Sequence, residues 1–295
     1  MSGAVSSARG LPAVAYQGEP GAYSEEAALG YFGVDRVSPL PMPTFSAVVN
    51  AVVSGQAAAA LLPLENSVAG TVGEAVDALL RTHLPVIGEA VLPVRHQLLG
   101  LPSASLDQIR CVASHRQALA QCERYLAAHD WQVIVADDTA GAAHTLAASG
   151  DSSRAVVAST RAAERYGLAV LDADIQDDES NMTRFAVVAR SDTALPPAAG
   201  ALAPPADAPR STLLVFETLH RPGALHHALG ALAEAGVNLS RIESRPTGRA
   251  QWQYRFLVSV DGDAAASPLS EALPELQTRT HGMAVLGSFP TAAKD

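Results

Sequence analysis

The stretch IQDDESNMTRFAVVAR, residues 175–190, joins two segments of opposite character without a spacer. A run made largely of acids and amides at 176–181 passes directly into the apolar run FAVVA at 185–189, which predicts a buried strand. Thr183 and Arg184 lie at the junction, so a hydroxyl and a permanent cation precede the strand. On spacing alone they mark a strand start with a surface arginine, and a chemical role requires partners from elsewhere in the chain.

Composition indicates an ordinary globular protein without a nucleic-acid or membrane partner. The chain has 295 residues, 48% of them hydrophobic, and this length predicts roughly two domains. The 30 acidic and 20 basic residues give a formal charge of -10, with no basic run to attract nucleic acid or an anionic membrane. Neither a signal-peptide core nor an apolar stretch of about 18 residues is present, so we expect a cytoplasmic protein.

Motifs for metals and cofactors are missing from the sequence. Cys111 and Cys122 lack CxxC spacing, so neither a disulfide framework nor a zinc site is expected. HExxH, a phosphate loop and a Gly-x-Ser-x-Gly elbow are also missing. We therefore expect a site that works with neither metal nor cofactor.

The Pro- and Ala-rich stretch 191–210 predicts an extended linker between a larger part, 11–190, and a smaller part, 211–290. The larger part alternates short β-like runs with helical patterns, which predicts an α/β fold with a mainly parallel sheet. We expect strands near 13–17, 57–63, 109–114, 132–136, 155–158 and 184–189, and helices over 44–54 and 115–129.

Several turns between these predicted elements carry polar side chains. In open α/β sheets, ligands bind outside the carboxyl ends of strands, where helix N-termini offer free N–H groups. Ser114 and Gln121 are seven residues apart and should share one helix face. Ser24 and Thr139 are predicted helix caps, while Asn66 follows a predicted strand. Together these turns suit a small polyanion, although each could also be simple capping.

The smaller part has the pattern βαββαβ, which predicts a ferredoxin-like unit. Its first helix should begin near Pro222 and end at Gly236, with Leu225, Leu229 and Leu232 on one face. A domain of about 80 residues has a small core, so an exposed sheet edge or face would favour pairing with a second copy.

Ten short motifs, taken in order, show that the chain resembles prephenate dehydratases fused to a C-terminal ACT regulatory domain. The resemblance implies an α/β catalytic domain like a periplasmic binding protein, with two lobes around a cleft and crossings near 94–100 and 175–183. A ferredoxin-like ACT domain follows. The implied reaction converts prephenate into phenylpyruvate with loss of carbon dioxide and water. The motifs cover residues 13–290 except the linker: GEPGAYSEEAA, PLENSVAGTV, HQLLG, SHRQALAQC, DDTAGAA, AERYGL, IQDDESNMTRF, GALHHAL, ESRP and VLGSFP.

The resemblance also implies which residues carry the reaction. Thr183 would donate a hydrogen bond to the departing oxygen. Arg184 would either attract the dianionic substrate or brace the cleft through carboxylates such as Glu65, and His96 would be a hinge residue or a ligand contact. The implied catalytic residues are Thr183, Arg184, Ser114, Gln121 and Asn66, and the implied substrate-binding residues are Ser67, Glu65, Thr139 and Phe185.

In the smaller part the resemblance implies an allosteric site for phenylalanine. Such sites form between two ACT domains, so a homodimer or homotetramer with feedback inhibition is implied. The implied effector residues are Gly223, Ala224, Leu225, Asn238, Glu243, Ser244 and Arg245.

Alternatives stay open at this point. The family motif Ser-His-Pro-Gln is SHRQ at 114–117, which puts an arginine where the family has proline. Several motifs also resemble plant arogenate dehydratases, so the substrate is prephenate or arogenate. A non-catalytic sensor of an aromatic metabolite is a third interpretation, which the complete Thr-Arg-Phe motif at 183–185 disfavours.

Overall fold

Three β-sheets organise the residues that the structure, a computed structural model, describes: 10–82, 84–247 and 253–291. The first lobe contains β1 Ala13–Gln17, α1 Tyr23–Phe32, β2 Ser38–Met42, α2 Phe45–Val53, β3 Ala59–Asn66, β4 Gly70–Thr71, α3 Gly73–Thr82 and β5 Val86–Pro93. The second lobe contains β6 Gln97–Gly100, a 3-10 helix Leu106–Gln108, β7 Cys111–His115, α4 Arg116–Ala120, α5 Glu123–Ala127, β8 Gln132–Ala136, α6 Thr139–Ser149, β9 Arg154–Ala158, α7 Thr160–Tyr166 and β10 Ala169–Asp172.

The chain then returns to the first lobe with β11 Met182–Ala189 and continues into a third unit. The predicted strands of the larger part are all present, and the largest displacement is from 57–63 to Ala59–Asn66. No helix within the described ranges is long and apolar enough to cross a bilayer. The third unit contains β12 Arg210–Glu217, α8 Ala224–Glu234, β13 Leu239–Pro246, β14 Tyr254–Asp261, α9 Leu269–Arg279 and β15 His281–Pro290.

The two sheets of the larger part are mixed rather than mainly parallel, so that prediction was wrong. The first sheet has the order β2-β1-β3-β11-β5, and β11 runs antiparallel to both neighbours. The second has the order β10-β6-β9-β7-β8, with β6 antiparallel to β10 and β9. The reason is the path of the chain. After the second lobe, the chain returns to the first sheet and places β11 between β3 and β5, which both precede that lobe in the sequence.

The chain passes between the lobes twice, and the two crossings lie side by side. The Val94 amide donates to the Asn181 carbonyl at 2.8 Å, and the Ile175 amide donates to the His96 carbonyl at 2.9 Å. The His96 amide in turn donates to Gln176 Oε1 at 2.8 Å. These bonds confirm the two-lobed catalytic domain and its crossings near 94–100 and 175–183.

Two predicted helix caps are displaced. Helix α1 begins at Tyr23 with Ala22 as its N-cap, so Ser24 lies inside the first turn. Helix α6 is capped by Asp138, whose carboxylate accepts from the Gly141 amide at 2.6 Å, and not by Thr139. In both turns the residue nearer the strand already has the extended backbone that an N-cap requires.

The helix predicted over 115–129 is two short helices, α4 and α5, with Gln121 and Cys122 between them. Leu119, Cys122 and Leu126 are nevertheless buried in one cluster, as their spacing predicted. Ser114 lies on β7, before α4 begins, so Ser114 and Gln121 do not share a helix face as was expected. The Gln121 backbone carbonyl instead accepts from the Asp177 amide at 2.7 Å, which ties Gln121 to the second crossing.

The third unit has the order β13-β14-β12-β15 with α8 and α9 on one face, which confirms the predicted ferredoxin-like fold. Along β12 the side chains alternate between two cores. Leu214 and Phe216 pack under the helices, whereas Leu213 and Val215 belong to a core shared with the first lobe. That second face of the sheet is therefore covered by the catalytic domain and is not open for pairing with a copy.

The segment 190–209 contains no helix or strand, but it is packed rather than loose. Leu195 and Leu202 contact the core beside α1. The Gly200 amide donates to the Tyr31 carbonyl at 3.0 Å, and the Leu202 amide donates to the Gly30 carbonyl at 2.8 Å. The expectation of an extended, unpacked linker was wrong, because unpaired carbonyls at the end of α1 accept bonds from this segment.

Candidate active site

A cleft of about 390 Å³ lies between the two lobes, where β1, β3, β7 and β8 end. Because β11 runs the other way, it contributes its first residues to the same place. The cleft brings together residues from both lobes and from one crossing: Asn66, Thr183 and Phe185 from the first lobe, Gln121 and Thr139 from the second, and His96 from the crossing.

Five helices begin at this cleft. Residues from the first turns of α1, α2, α3, α4 and α6 line it, namely Tyr23, Phe45, Glu74, Gln117 and Thr139. Helix N-termini carry unpaired N–H groups and a partial positive charge that favours anions. The described residues that line the cleft include no lysine or arginine, whereas Glu74, Asp137 and Asp138 contribute carboxylates.

Thr183 and Asn66 form the centre of the polar wall. They are direct partners on the antiparallel strands β11 and β3. Asn66 Nδ2 donates to Thr183 Oγ1 at 3.0 Å and to Asn181 Oδ1 at 2.7 Å, while Asn66 is only 4% exposed. Since the bond from Asn66 occupies an acceptor site on Thr183, the hydroxyl proton of Thr183 stays available for a ligand.

Arg184 and Glu65 lie on the opposite face of the same two strands. Arg184 contacts Glu65 at 3.8 Å and Glu89 at 3.4 Å, and neither Arg184 nor Glu65 lines the cleft. Glu65 is also 3.2 Å from Arg241 of the ACT-like unit. The structure therefore favours the bracing role for Arg184 and corrects the expectation that Glu65 contacts substrate. Successive side chains of a strand point to opposite faces, so Asn66 and Thr183 face the cleft while their neighbours do not.

Two implied site serines are also outside the cleft lining. Ser67 donates to the Ser180 carbonyl at 3.1 Å and accepts from the Met182 amide at 2.9 Å, so its hydroxyl is used to fasten the second crossing. Ser114 is fully buried and donates to the Val157 carbonyl at 2.5 Å, which joins β7 to β9. The hydroxyl of Ser67 therefore stabilises the second crossing, and the hydroxyl of Ser114 stabilises the second sheet.

Tyr23 and His96 complete the polar wall, while the buried Asn181 lies outside the cleft lining and accepts from Asn66. His96 Nε2 is 2.9 Å from Gln121 Oε1, and His96 Nδ1 is 2.8 Å from the Tyr23 hydroxyl. Burial lowers the pKa of His96 below its usual value, although the bond to Gln121 opposes this. Burial raises the pKa of Tyr23. In the sequence Tyr23 falls in the motif GEPGAYSEEAA and His96 in HQLLG, and Asn181 lies within a polar run.

The implied effector residues fall into two groups. Gly223, Ala224 and Leu225 line a cavity of about 340 Å³ at the start of α8, and Gly223 has a left-handed backbone with φ of 76°. Glu243 accepts a hydrogen bond from Thr71 of the first lobe at 2.6 Å, and Arg245 binds Asp77 of α3 at 2.6 and 2.9 Å.

Ser244 is exposed between these two residues, and Asn238 donates to Asp261 at 2.8 Å. The cavity at the start of α8 contains neither of them and neither Glu243 nor Arg245. Within one chain the two groups therefore do not share a cavity, and the expected site between two ACT domains stays a prediction. Arg245 and Glu243 join the ACT-like unit to the first lobe. Among the described residues no group of three or more His, Cys, Asp or Glu side chains could hold a metal ion.

Comparison with known proteins gives consistent matches. Residues 14–193 match the family described as prephenate dehydratase, and residues 212–275 match the ACT domain. The chain is 38% identical to an arogenate dehydratase/prephenate dehydratase of Arabidopsis thaliana, over 94% of this chain and 71% of that protein. It spans 66–72% of the lengths of such plant relatives.

A bacterial relative and a solved structure match along nearly their whole lengths. A protein of Komagataeibacter europaeus, named a bifunctional N-acyl-homoserine lactone acylase/prephenate dehydratase, is 36% identical over 95% of this chain and 96% of its own. The crystal structure of prephenate dehydratase from Arthrobacter aurescens in complex with L-Phe has a TM-score of 0.84 and 32% identity, covering 96% of this chain and 91% of that chain.

Proposed function

The chain belongs to the prephenate dehydratase family, and from its cleft we propose that it converts prephenate into phenylpyruvate. In this reaction the ring carboxylate leaves as carbon dioxide and its bonding electron pair enters the ring. The ring hydroxyl departs with its own electron pair and takes up one proton to become water. The product ring is aromatic, so the protein needs only to orient the substrate and assist the leaving hydroxyl.

The observation that carries this proposal is the direction of the bond between Asn66 and Thr183. Asn66 Nδ2 donates to Thr183 Oγ1, which leaves the threonine proton to donate into the cleft. A donor aimed at an oxygen that gains charge stabilises the transition state more than the ground state. Thr183 thus assists departure of the hydroxyl as a hydrogen-bond donor, and the proton that completes water comes ultimately from solvent.

In this proposal the substrate's carboxylates bind at helix N-termini. In the cleft the first turns of α1, α3 and α6 present backbone N–H groups, and no described lining residue is a lysine or arginine. Charge-neutral donors of this kind hold an anion without forming an ion pair with it. A leaving carboxylate is therefore not stabilised so strongly by a fixed cation that its loss as carbon dioxide is opposed.

Arogenate is the second candidate substrate, and the carboxylates in the cleft lining are the observation that supports it. Glu74, Asp137 and Asp138 line the cleft, so a substrate with an ammonium group would find carboxylate partners there. Asp138 already accepts from the Gly141 amide, whereas Glu74 and Asp137 are exposed at the cleft mouth. Comparing turnover of the two substrates by wild type and by Asp137→Asn decides whether a carboxylate at the mouth recognises the ammonium group.

Regulation by phenylalanine is proposed for the cavity at the start of α8. Gly223 lets the backbone approach a small ligand closely, and the relative from Arthrobacter aurescens was solved with L-Phe. Because the cavity contains none of Asn238, Glu243, Ser244 and Arg245, we propose that a second copy completes the site in a homodimer or homotetramer. Sedimentation with and without phenylalanine tests this assembly, and fractionation tests the expected cytoplasmic location.

The experiment that tests the activity is a direct assay. Purified protein is mixed with prephenate or arogenate at mildly alkaline pH, which suppresses the spontaneous acid-catalysed reaction, with and without phenylalanine. Phenylpyruvate formed from prephenate and suppressed by phenylalanine supports the whole proposal. Phenylalanine formed mainly from arogenate moves the protein to the second candidate, and turnover of neither substrate leaves a non-catalytic sensor.

A further inference from the structure

A continuous chain of side-chain hydrogen bonds runs from the start of α1 to Thr183. It links the first lobe, one crossing and the second lobe, and then returns to the first lobe. The bonds are Tyr23 Oη to His96 Nδ1 at 2.8 Å, His96 Nε2 to Gln121 Oε1 at 2.9 Å, Gln121 Nε2 to Asn66 Oδ1 at 3.2 Å and Asn66 Nδ2 to Thr183 Oγ1 at 3.0 Å.

The donor-to-acceptor direction of these hydrogen bonds is determined at Asn66. The backbone amides of Val68 and Ala69 donate to Asn66 Oδ1 at 3.1 and 2.8 Å. A backbone N–H can only donate, so the atom it meets must be the oxygen, which fixes the orientation of the Asn66 amide. The other end of that amide is therefore the NH2 group, and Thr183 must be the acceptor.

The orientation of the Gln121 amide follows in the same way, and it determines which ring nitrogen of His96 carries a proton. An oxygen of Asn66 faces Gln121, so Gln121 must present its NH2 group there and its Oε1 to His96. If Gln121 were reversed, two amide oxygens would face each other without a proton between them. Gln121 Oε1 can only accept, so His96 Nε2 must carry a proton.

We propose, on the basis of the function proposed above, that His96 is a positioning residue for the dehydration. By donating its Nε2–H to Gln121 Oε1, it holds the Gln121 amide against Asn66 Oδ1 and so supports the Asn66 amide, whose NH2 end leaves the Thr183 proton free for the departing hydroxyl. Its own ring is held by Tyr23, whose one hydroxyl proton is shared between two acceptors, Nδ1 at 2.8 Å and the Arg95 carbonyl at 2.9 Å. His96 is 2% exposed and does not itself have to touch the leaving group.

This role follows from the effect of removing the Nε2–H of His96. Without the Nε2–H of His96, Gln121 Oε1 loses this partner, and the Gln121 side chain is less firmly held beside Asn66. The amide that orients Thr183 would then lose the bond from Gln121, which is one of the bonds that hold it. The expected defect is therefore in the chemical step rather than in substrate binding.

The test compares His96→Leu with His96→Gln, because glutamine returns an N–H donor near the position of Nε2. We expect His96→Leu to lower kcat by about 10- to 100-fold with KM within about threefold, and His96→Gln to recover to within about fivefold of wild type. His144→Leu is the matched control, since His144 lies on α6 outside the described cleft lining and stacks on Tyr166. That control should keep wild-type kcat.

Two further measurements separate positioning from a general structural role. In a Thr183→Ala background, His96→Leu should change kcat by less than about threefold, since both residues act on one hydroxyl. Independent, multiplying losses would overturn the proposal. In the wild-type protein, ¹⁵N NMR of the His96 ring, assigned with the His96→Gln variant, should show a protonated Nε2 and an unprotonated Nδ1.

The opposite tautomer would overturn the proposal even if His96→Leu fails to fold. Equal kcat for wild type and His96→Leu would overturn it as well, as would equal losses in His96→Leu and His96→Gln. If wild-type protein turns over neither prephenate nor arogenate, the proposed function fails instead, and the NMR result still decides the hydrogen-bond direction.

Discussion

Asn66 Nδ2 lies 3.0 Å from Thr183 Oγ1, and the two residues are direct partners on neighbouring antiparallel strands. They are 117 positions apart in the chain. The second lobe is built entirely from the residues between them, so the bond exists only after the chain has returned from that lobe. The surroundings of the Thr183 hydroxyl therefore form only when β11 pairs with β3 in the first sheet.

Removing the hydroxyl of Thr183 should reduce the rate of the chemical step. For Thr183→Ala we expect a loss in kcat on the order of 10²-fold or more, with a smaller effect on KM, because a donor to the departing oxygen acts mainly in the transition state. Thr183→Ser keeps the hydroxyl and should retain most of kcat. Steady-state kinetics measure both variants, and an unchanged kcat for Thr183→Ala would refute the assignment.

Asn66→Asp tests the direction of the hydrogen bond rather than its presence. An ionised carboxylate still accepts from the Val68 and Ala69 amides but cannot donate to Thr183. It instead attracts the hydroxyl proton away from the cleft, so we expect kcat to fall by about 10²-fold. Its second oxygen also meets Asn181 Oδ1 and the Met182 carbonyl in a buried site, so the melting temperature should fall as well. Ser67→Ala, which lies outside the described cleft lining, should cost less than about threefold in the same assay.

Arg241 should connect the ACT domain to the strand that carries Asn66. Its buried guanidinium is 3.2 Å from Glu65 and donates to the Leu64 carbonyl at 3.3 Å. We expect Arg241→Met to destabilise the fold by about 2–4 kcal/mol and to weaken inhibition by phenylalanine several-fold. Arg279→Met is the control, because Arg279 pairs with Glu234 and Glu275 inside its own domain. Equal loss of inhibition in both variants would contradict this connection.

The Asp77–Arg245 pair should make contact between the domains depend on pH. The hydrogen bond from Arg245 holds the pKa of Asp77 below its ordinary value of 3.8. The folded protein therefore binds this proton less tightly than the unfolded chain. The contribution to stability is complete above the ordinary pKa and is lost as pH falls through the lowered folded value.

The measurement for this pair is urea unfolding of wild type and Asp77→Asn at neutral pH and at successively lower pH. The difference in free energy of unfolding should be present at neutral pH and shrink below about pH 4. Asp35→Asn, which removes an exposed carboxylate from the same lobe, should show a smaller difference at neutral pH. A difference for Asp77→Asn that grows as pH falls would contradict the assignment.

Cys122 should be unreactive in the folded protein. Burial, with a smaller effect of the nearby Asp177 carboxylate, raises the pKa of its thiol to about 12, and the residue is 0% exposed. Only about one thiol in 10⁴ would then be ionised at pH 8, and the thiolate is the reactive form. In a Cys111→Ala variant, a thiol reagent should label the protein only after denaturant is added. Rapid labelling of the native variant would contradict this expectation.

Local patterns predicted the elements well, but boundaries and pairings less well. Apolar runs such as FAVVA at 185–189 identified strands, and the spacing of Leu119, Cys122 and Leu126 identified a buried face. The sheets were expected to be mainly parallel, because alternation of strands and helices does not reveal that β11 returns antiparallel between β3 and β5. Which strands meet is decided by long-range packing, not by the residues of one strand.

The expected site residues divide into those that line the cleft and those that lie elsewhere. Asn66, Gln121, Thr139 and Phe185 line the cleft with Thr183. The residue types of the first three suggested polar contacts beforehand, whereas Phe185 was expected there from the family motif alone. Glu65, Ser67, Ser114 and Arg184 were expected there too, yet their side chains bind the other domain, a crossing or a neighbouring strand. A one-residue step along a strand moves a side chain to the opposite face, and sequence motifs do not record which face becomes the cleft.

The sequence by itself determined the element types, the ferredoxin-like order of the smaller part and the family to which the chain belongs. Those properties depend on short-range spacing and on motifs that are read along the chain. Only the tertiary structure decided that Arg184 braces Glu65 and Glu89 while Thr183 faces the cleft, and that His96 donates toward Gln121. The physical reason is that hydrogen bonds are directional and strand faces alternate, so these roles arise only when distant strands and both lobes are in contact.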